Sequence, residues 1–322
     1  MSFKHLSDPI FALNRGPAPE FVLHGAVTSK IQNEDPTGSC QFQFLTRSLL
    51  NPWQFLSAGV RSVSPLWSMG LAFHSGQDIH MKALDGLSRE ARAGDAELFC
   101  PREYPVDWEY AARMRFSGIR PSRIHHPCSG KHLMILAACE KRGIEKNNYW
   151  EPGHPLQKSL FSLIGKEARK QVQWVYDSCG LPTFLMDMKT HLKMWERLAL
   201  DESEISVVMK DLWLNNPRLV GGRGRLDSDL TIAAGGKALV KEGSDGLLIV
   251  QSFPDGPHPA ASVLIKLSSG YHKAFLALAL YTTIKKQKSL PPVFQDLMEY
   301  LGSRMDEWVP RDHTLIEGVP GV

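Results

Sequence analysis

His125-His126-Pro127-Cys128-Ser129-Gly130-Lys131-His132, followed at once by Leu133-Met134-Ile135-Leu136-Ala137-Ala138-Cys139, gathers a thiol, an amine, a hydroxyl and three imidazoles where a loop turns into an apolar run. A polar, turn-forming segment that gives way to continuous apolar sequence reads as the start of a buried helix. Lys141 and Arg142, then Gly143, end that helix in the usual basic-then-glycine manner. Further along, Asp177-Ser178-Cys179-Gly180-Leu181-Pro182 sets a second thiol beside a carboxylate at another tight turn. The fold is read as a way of bringing these two knots together.

Working outward, apolar spacing of three and four residues gives helical texture from residue 52 to about 118, with amphipathic helices over 74–92 and 108–117. Downstream, helices are expected over 131–141, 155–170, 186–200 and 204–214, with a strand at 171–176 leading to Asp177. Gly221-Gly222-Arg223-Gly224-Arg225 follows as a hinge or anion-holding loop. The texture then changes to strand-like runs at 238–240, 246–250 and 261–267, and helices at 273–284 and 292–305 close the chain. On the amino-terminal side, strands are expected at 21–27 and 41–45, joined by a turn over 32–40. Strands from both ends around a helical middle predict one α/β domain of α+β type. Its antiparallel sheet lobe takes about 1–50 and 218–322, and a helical lobe takes about 52–217.

The 322 residues supply ample core, and 43% hydrophobic with 22% charged residues describe an ordinary globular protein. A net charge of +3 without a long Lys/Arg run excludes a nucleic-acid footprint. No stretch approaches the ~18 apolar residues of a membrane span. Five widely spaced cysteines and no apolar leader predict a reducing, cytoplasmic location.

Gly130-Lys131 fails as a phosphate loop, because the earlier glycine is His125 and the following hydroxyl residue is His132. Cys128 and Cys179, both in polar turns, are either buried bystanders or a zinc pair. On ligand chemistry alone His125, His126 or His132 would complete such a site better than Lys131, whose ammonium must first lose its proton. Ser48 follows a strand and starts a helix, so it is either a helix cap or a nucleophile. A nucleophilic serine with a lysine base one turn later would need that lysine at Asn51, which accepts no proton. Lys241 to Gly246 reads, by itself, as a solvent-facing hairpin turn.

In this order the motifs resemble the L-asparaginase II family of rhizobial type. The likeness runs from about residue 10 to 280. It is sharpest at Pro121-Ser122, at 128–132, at 152–157 and at 177–184. Asn216-Pro217-Arg218-Leu219-Val220, the following 222–227 segment and 241–246 complete it. The resemblance implies a fold like serine β-lactamases and glutaminases, a homodimer, and L-asparagine or a related small amide as substrate. It also implies zinc held by Cys128, Lys131 and Cys179 with water in the fourth position, which overrides the chemical preference for histidine. Asp177 would then hold the substrate's α-amino group or the water. Ser48 with Arg47 matches the family's nucleophile segment, and Lys241 its second lysine. His74 and Ser75, the remaining substrate-side candidates, fall in the family's Ala-Ser-His-Ser-Gly-Glu pattern, here Ala72-Phe73-His74-Ser75-Gly76-Gln77.

Three departures stand out. Asn51 replaces the lysine after Ser48, Phe73 and Gln77 replace a serine and a glutamate, and Leu23 replaces an early histidine. All fall on proton-handling groups, whereas the metal set is intact. Two functions follow as expectations: an asparaginase-type amidohydrolase, or a degenerate homologue that keeps zinc and pocket for binding or structure. A remoter third uses the metal's water directly, with His74, His126 or His132 as base.

Overall fold

The computed structural model describes residues 43–267, 273–287 and 289–308, together with the backbone of strands β1 (Ala12–Leu13) and β2 (Phe21–Thr28). The turn expected over 32–40 lies outside these residues. In chain order follow β3 (Gln43–Leu45), α1 (Asn51–Ala58), α2 (Asp78–Ala91), α3 (Trp108–Phe116), α4 (Ser129–Arg142) and α5 (Pro155–Ala168). Next come β4 (Gln173–Tyr176), β5 (Pro182–Asp187), α6 (Met188–Leu200), α7 (Glu204–Asn215), α8 (Pro217–Val220) and α9 (Leu226–Ala233). The chain closes with β6 (Ala238–Gly243), β7 (Leu247–Ser252), β8 (Ser262–Leu267), α10 (Lys273–Lys286) and α11 (Pro292–Trp308). Short 3-10 helices occupy Arg47–Leu50, Pro65–Leu71 and Arg123–His125. The architecture is α+β with antiparallel pairing, as the alternation of textures predicts.

The chain forms two compact units, one from residues 1–44, 187–200 and 230–322, the other from 45–186 and 201–229. The first is built on an antiparallel sheet of order β1-β2-β8-β7-β6. Its registers include Leu23 opposite Leu267, Val250 opposite Val263, and Lys241 opposite Ile249. Every residue of β6, β7 and β8 is buried, so both faces of the sheet are covered. Helices α6 and α10 pack on it, and α11 packs on α10.

The second unit is mainly helical and centred on α4. All residues of α4 from Ser129 to Cys139 are buried, which is what apolar sequence all round a helix requires. Gly143, at φ 62°, caps the helix and returns its N–H to Cys139 and Glu140 carbonyls. Against α4 pack α2, α1 and the 3-10 helix Pro65–Leu71. That last approach is very close: a Cβ on Gly130 would lie 2.3 Å from the Met69 carbonyl oxygen, and one on Gly70 would lie 2.1 Å from Met134 Sδ.

Two expectations need correction. The helix expected from residue 74 begins only at Asp78, because residues 73–75 are held extended: Phe73, His74 and Ser75 donate their N–H groups to the Val220, Pro127 and Gly221 carbonyls. The solvent-facing hairpin expected at Lys241 is also wrong. Lys241 and Glu242 are fully buried residues of β6, and only the tip at 244–246 turns.

Candidate functional site

The two knots fold as backbone-determined turns. In the first, His126 Nδ1 accepts the Cys128 N–H at 3.0 Å, fixing the loop just before α4. Ser129 Oγ donates to the Ile124 carbonyl at 2.8 Å and accepts from His74 Nε2 at 2.9 Å. In the second, Asp177 N–H reaches the Leu181 carbonyl and Gly180 N–H the Asp177 carbonyl, both at 2.8 Å. Gly180 sits at φ 84°, where a Cβ would also strike the Phe99 ring at 2.3 Å, so only glycine closes this turn.

Arg47 fastens a third segment to the second knot. Its guanidinium donates to Asp177 Oδ1 at 2.5 Å, its backbone N–H to Thr183 Oγ1 at 2.9 Å, and Thr46 meets Thr183 at 3.2 Å. Its φ of 50° is left-handed, a conformation that costs an arginine roughly 1 kcal/mol or more. Ser48 follows, buried inside the 3-10 turn rather than capping a helix, since Leu50 occupies the cap position of α1.

The knots meet at Cys179. The Cys128 thiol donates to the Cys179 sulfur, and that bond, against the opposing effect of burial, holds Cys179 well below the usual thiol range. Lys131 and His132 also contact Cys179 and add to the effect. The same bond, together with burial, drives Cys128 well above its ordinary value. Burial opposes the charge on Lys131, yet Cys179, Cys128 and Asp177 outweigh it and raise its pKa. Without metal the cluster is thus a thiolate, a thiol and an ammonium, all buried.

His74 and Ser75 lie in the same unit. Burial, with His80 stacked 5.2 Å away, pushes His74 well below the ordinary histidine range. Its Nδ1 and the Ser75 hydroxyl are buried without hydrogen-bond partners, and a Cβ on Gly222 would crowd that hydroxyl at 2.2 Å. Phe73 is half-buried with the Arg225 guanidinium 5.5 Å from its ring centre. Asn51 is buried, and its amide donates to the Leu71 and Ala72 carbonyls at 3.2 and 2.7 Å. The 221–225 loop is no hinge: Gly222 N–H binds Ser228 Oγ and Arg223 N–H binds Gln77 Oε1, both at 2.9 Å.

Of the residues singled out by sequence, Arg47, Ser48, His74, Ser75, Cys128, Lys131, Asp177 and Cys179 share the helical unit, and Lys241 belongs to the sheet unit. Lys241 Nζ donates to the Glu242 carbonyl at 2.7 Å. Sequence reasoning overlooked Tyr149, whose hydroxyl lies 2.6 Å from His132 Nδ1, and Ser129, which anchors His74. An isolated tyrosine or helix-start serine carries no one-dimensional signal of such roles.

A mixed fold with a buried thiol–amine cluster, tied to an arginine–aspartate pair, defines an α+β protein with a polar centre inside its helical unit. The family model of L-asparaginase II matches residues 15–310, and the chain belongs to that family. No protein of curated function matches the chain. Among the described residues no helix is long and apolar enough to cross a membrane.

Proposed function

We propose that the protein is an asparaginase-type amidohydrolase that cleaves the side-chain amide of L-asparagine or a related small amide. The observation that carries this reading is the Arg47–Asp177 bond, which fastens the Ser48 turn to the knot that supplies Cys179. Candidate nucleophile and thiol–amine cluster therefore share one anchor. Ser48 Oγ attacks the amide carbonyl or donates to its developing oxyanion. Asp177 takes the substrate's α-amino group, Arg47 balances that carboxylate, and the unpartnered His74 Nδ1 and Ser75 Oγ meet polar substrate atoms. Lys241 is assigned proton handling on family likeness.

The chain's donors suit zinc. Two sulfurs and an amine nitrogen contact one another in a buried site, and thiolates are strong zinc ligands. Among the described residues no three His, Cys, Asp or Glu side chains stand as a ligand group, which favours Lys131 as the third donor beside Cys128 and Cys179. Lys131 must shed its proton to ligate, so uptake will be stronger at higher pH. Bound zinc here supplies a weak Lewis acid that orients the substrate. A homodimer and a cytoplasmic location belong to the same proposal, on family likeness and on cysteines that are all free among those described.

A second reading, a homologue that binds a ligand without hydrolysing it, is favoured by Asn51. Its amide is committed to two carbonyls, and no proton acceptor stands where the family has lysine. Loss of one general base costs about 10²–10⁴-fold in rate. Ammonia release from L-asparagine by zinc-loaded protein, compared with Asn51→Lys at neutral and alkaline pH, separates the readings. Turnover by the natural chain, abolished in Ser48→Ala, is the expected result and removes the second reading. Rescue only in Asn51→Lys assigns the deficit to the missing base. Silence from both, with protein folded and zinc bound, refutes the amidohydrolase.

A further inference from the structure

His132 has no role in the readings above, yet its surroundings fix which ring nitrogen carries the proton. Phe99 N–H donates to the Tyr149 hydroxyl oxygen at 2.9 Å. The phenol has one further proton to give, and burial raises its pKa well above the ordinary range, so that proton stays in place. The group 2.6 Å away is His132 Nδ1, with both side chains almost fully buried. The two rings meet edge-on, centroids 5.6 Å apart and planes at 86°. A phenol that donates to Nδ1 makes that nitrogen an acceptor, so the neutral ring bears its proton on Nε2. Nε2 is buried without a properly aligned partner, and the groups beside it are the sulfur and the carbonyl of Cys179. Both accept hydrogen bonds.

We propose that His132 is a positioning residue: Tyr149 locks its Nε2–H tautomer, and that N–H donates to the Cys179 sulfur. The relay runs from Phe99 N–H through Tyr149 O–H to His132 Nε2–H and ends on the thiolate. An imidazole in this tautomer offers no lone pair at Nε2 and is not a metal ligand. It instead draws charge from the sulfur and holds it facing Cys128 and Lys131, as partners outside a ligand set orient the ligands themselves. The metal half of this inference rests on the proposed zinc site; the tautomer half stands without it.

Proton–nitrogen correlation spectra of the full chain, with His132 assigned through His132→Gln, read the tautomer directly. The proton is expected on Nε2 in both metal-free and zinc-loaded protein, and Tyr149→Phe is expected to abolish the preference. Cobalt(II) then probes the sulfur. His132→Leu should shift the thiolate-to-cobalt charge-transfer band and weaken cobalt binding by roughly 10–100-fold. His132→Gln should restore both, because its amide can accept from Tyr149 and donate to Cys179. A proton on Nδ1 overturns the proposal, as does a folded His132→Leu chain with unchanged band and affinity. If the natural chain takes up neither zinc nor cobalt, the proposed metal site falls, and the metal-free spectra alone decide His132.

Discussion

The same substitution, glycine to alanine, should have opposite effects in two helices. Gly130 is the second residue of α4, between Cys128 and Lys131. A methyl there would lie 2.3 Å from the Met69 carbonyl oxygen and 2.8 Å from Met69 Cβ, in a region where Met69 is fully buried. Ordinary contact begins near 3.4 Å, so α4 and the 3-10 helix would have to separate by about 1 Å. Overpacking against backbone costs about 3 kcal/mol, at the upper end of its usual range, because no side chain can swing aside. Alanine's better helix propensity returns about 1 kcal/mol. The net loss of about 2 kcal/mol should lower the melting temperature by roughly 4 °C in a chain of this length. A methyl on Gly165 in α5 would meet nothing within 4 Å, so Gly165→Ala should gain about 0.5–1 kcal/mol. Thermal unfolding of both variants, with metal content after zinc loading, checks the argument. Gly130→Ala should also lose zinc more than its stability loss explains, since its neighbours are two proposed ligands. Melting of Gly130→Ala at or above the natural chain would refute the packing argument, as would equal shifts in both variants.

Arg47 offers a second test. Arg47→Ala strands the nearly buried Asp177 and should cost about 2–3 kcal/mol, reduced from a fully buried pair because the arginine is partly exposed. Arg47→Gly should recover about 1 kcal/mol of that by removing left-handed strain, and equal melting of the two variants would disprove the strain. Acid sensitivity is the third prediction. Burial lowers His80 and His191 from 6.5 to about 4 in the folded chain. The unfolded chain therefore takes up their protons first, and the stability they confer is complete above pH 6.5 and lost as pH falls toward 4. By pH 5 each costs about 2 kcal/mol, and denaturant titrations should show a shallower pH slope in His191→Phe. An unchanged slope in that variant would rule out His191 as a source.

Much of the candidate site was legible because its chemistry is written in short runs. Cys128 to His132 and Asp177 to Pro182 each carry their reactive groups within one turn, and local hydrogen bonds keep them so. The buried helix followed directly from the apolar run after His132. Less visible was whatever depends on contact between distant segments. Strand β5 begins with a proline and directly follows a tight turn, which hides its strand character. Lys241 looked exposed because charge in a hairpin usually is, whereas pairing opposite Ile249 in a doubly covered sheet buries it. The tautomer of His132 depends on Tyr149 and Phe99, neither of them its neighbour in sequence. Gly130 looked like part of a phosphate-loop remnant, and its actual constraint, the Met69 carbonyl, lies on another element.

The pairing of β2 with β8 bears on how the chain is made. Leu23 lies opposite Leu267, about 240 residues later. At roughly 5–20 residues per second, a ribosome needs roughly 12–50 s to deliver that partner strand. During this interval the sheet's amino-terminal strand has emerged without its neighbour, while residues 45–186 of the helical unit are already available to fold. Unpaired strand edges are where nascent chains aggregate. Slowed translation or chaperone capture before residue 262 should therefore govern soluble yield more than any substitution in the helical unit.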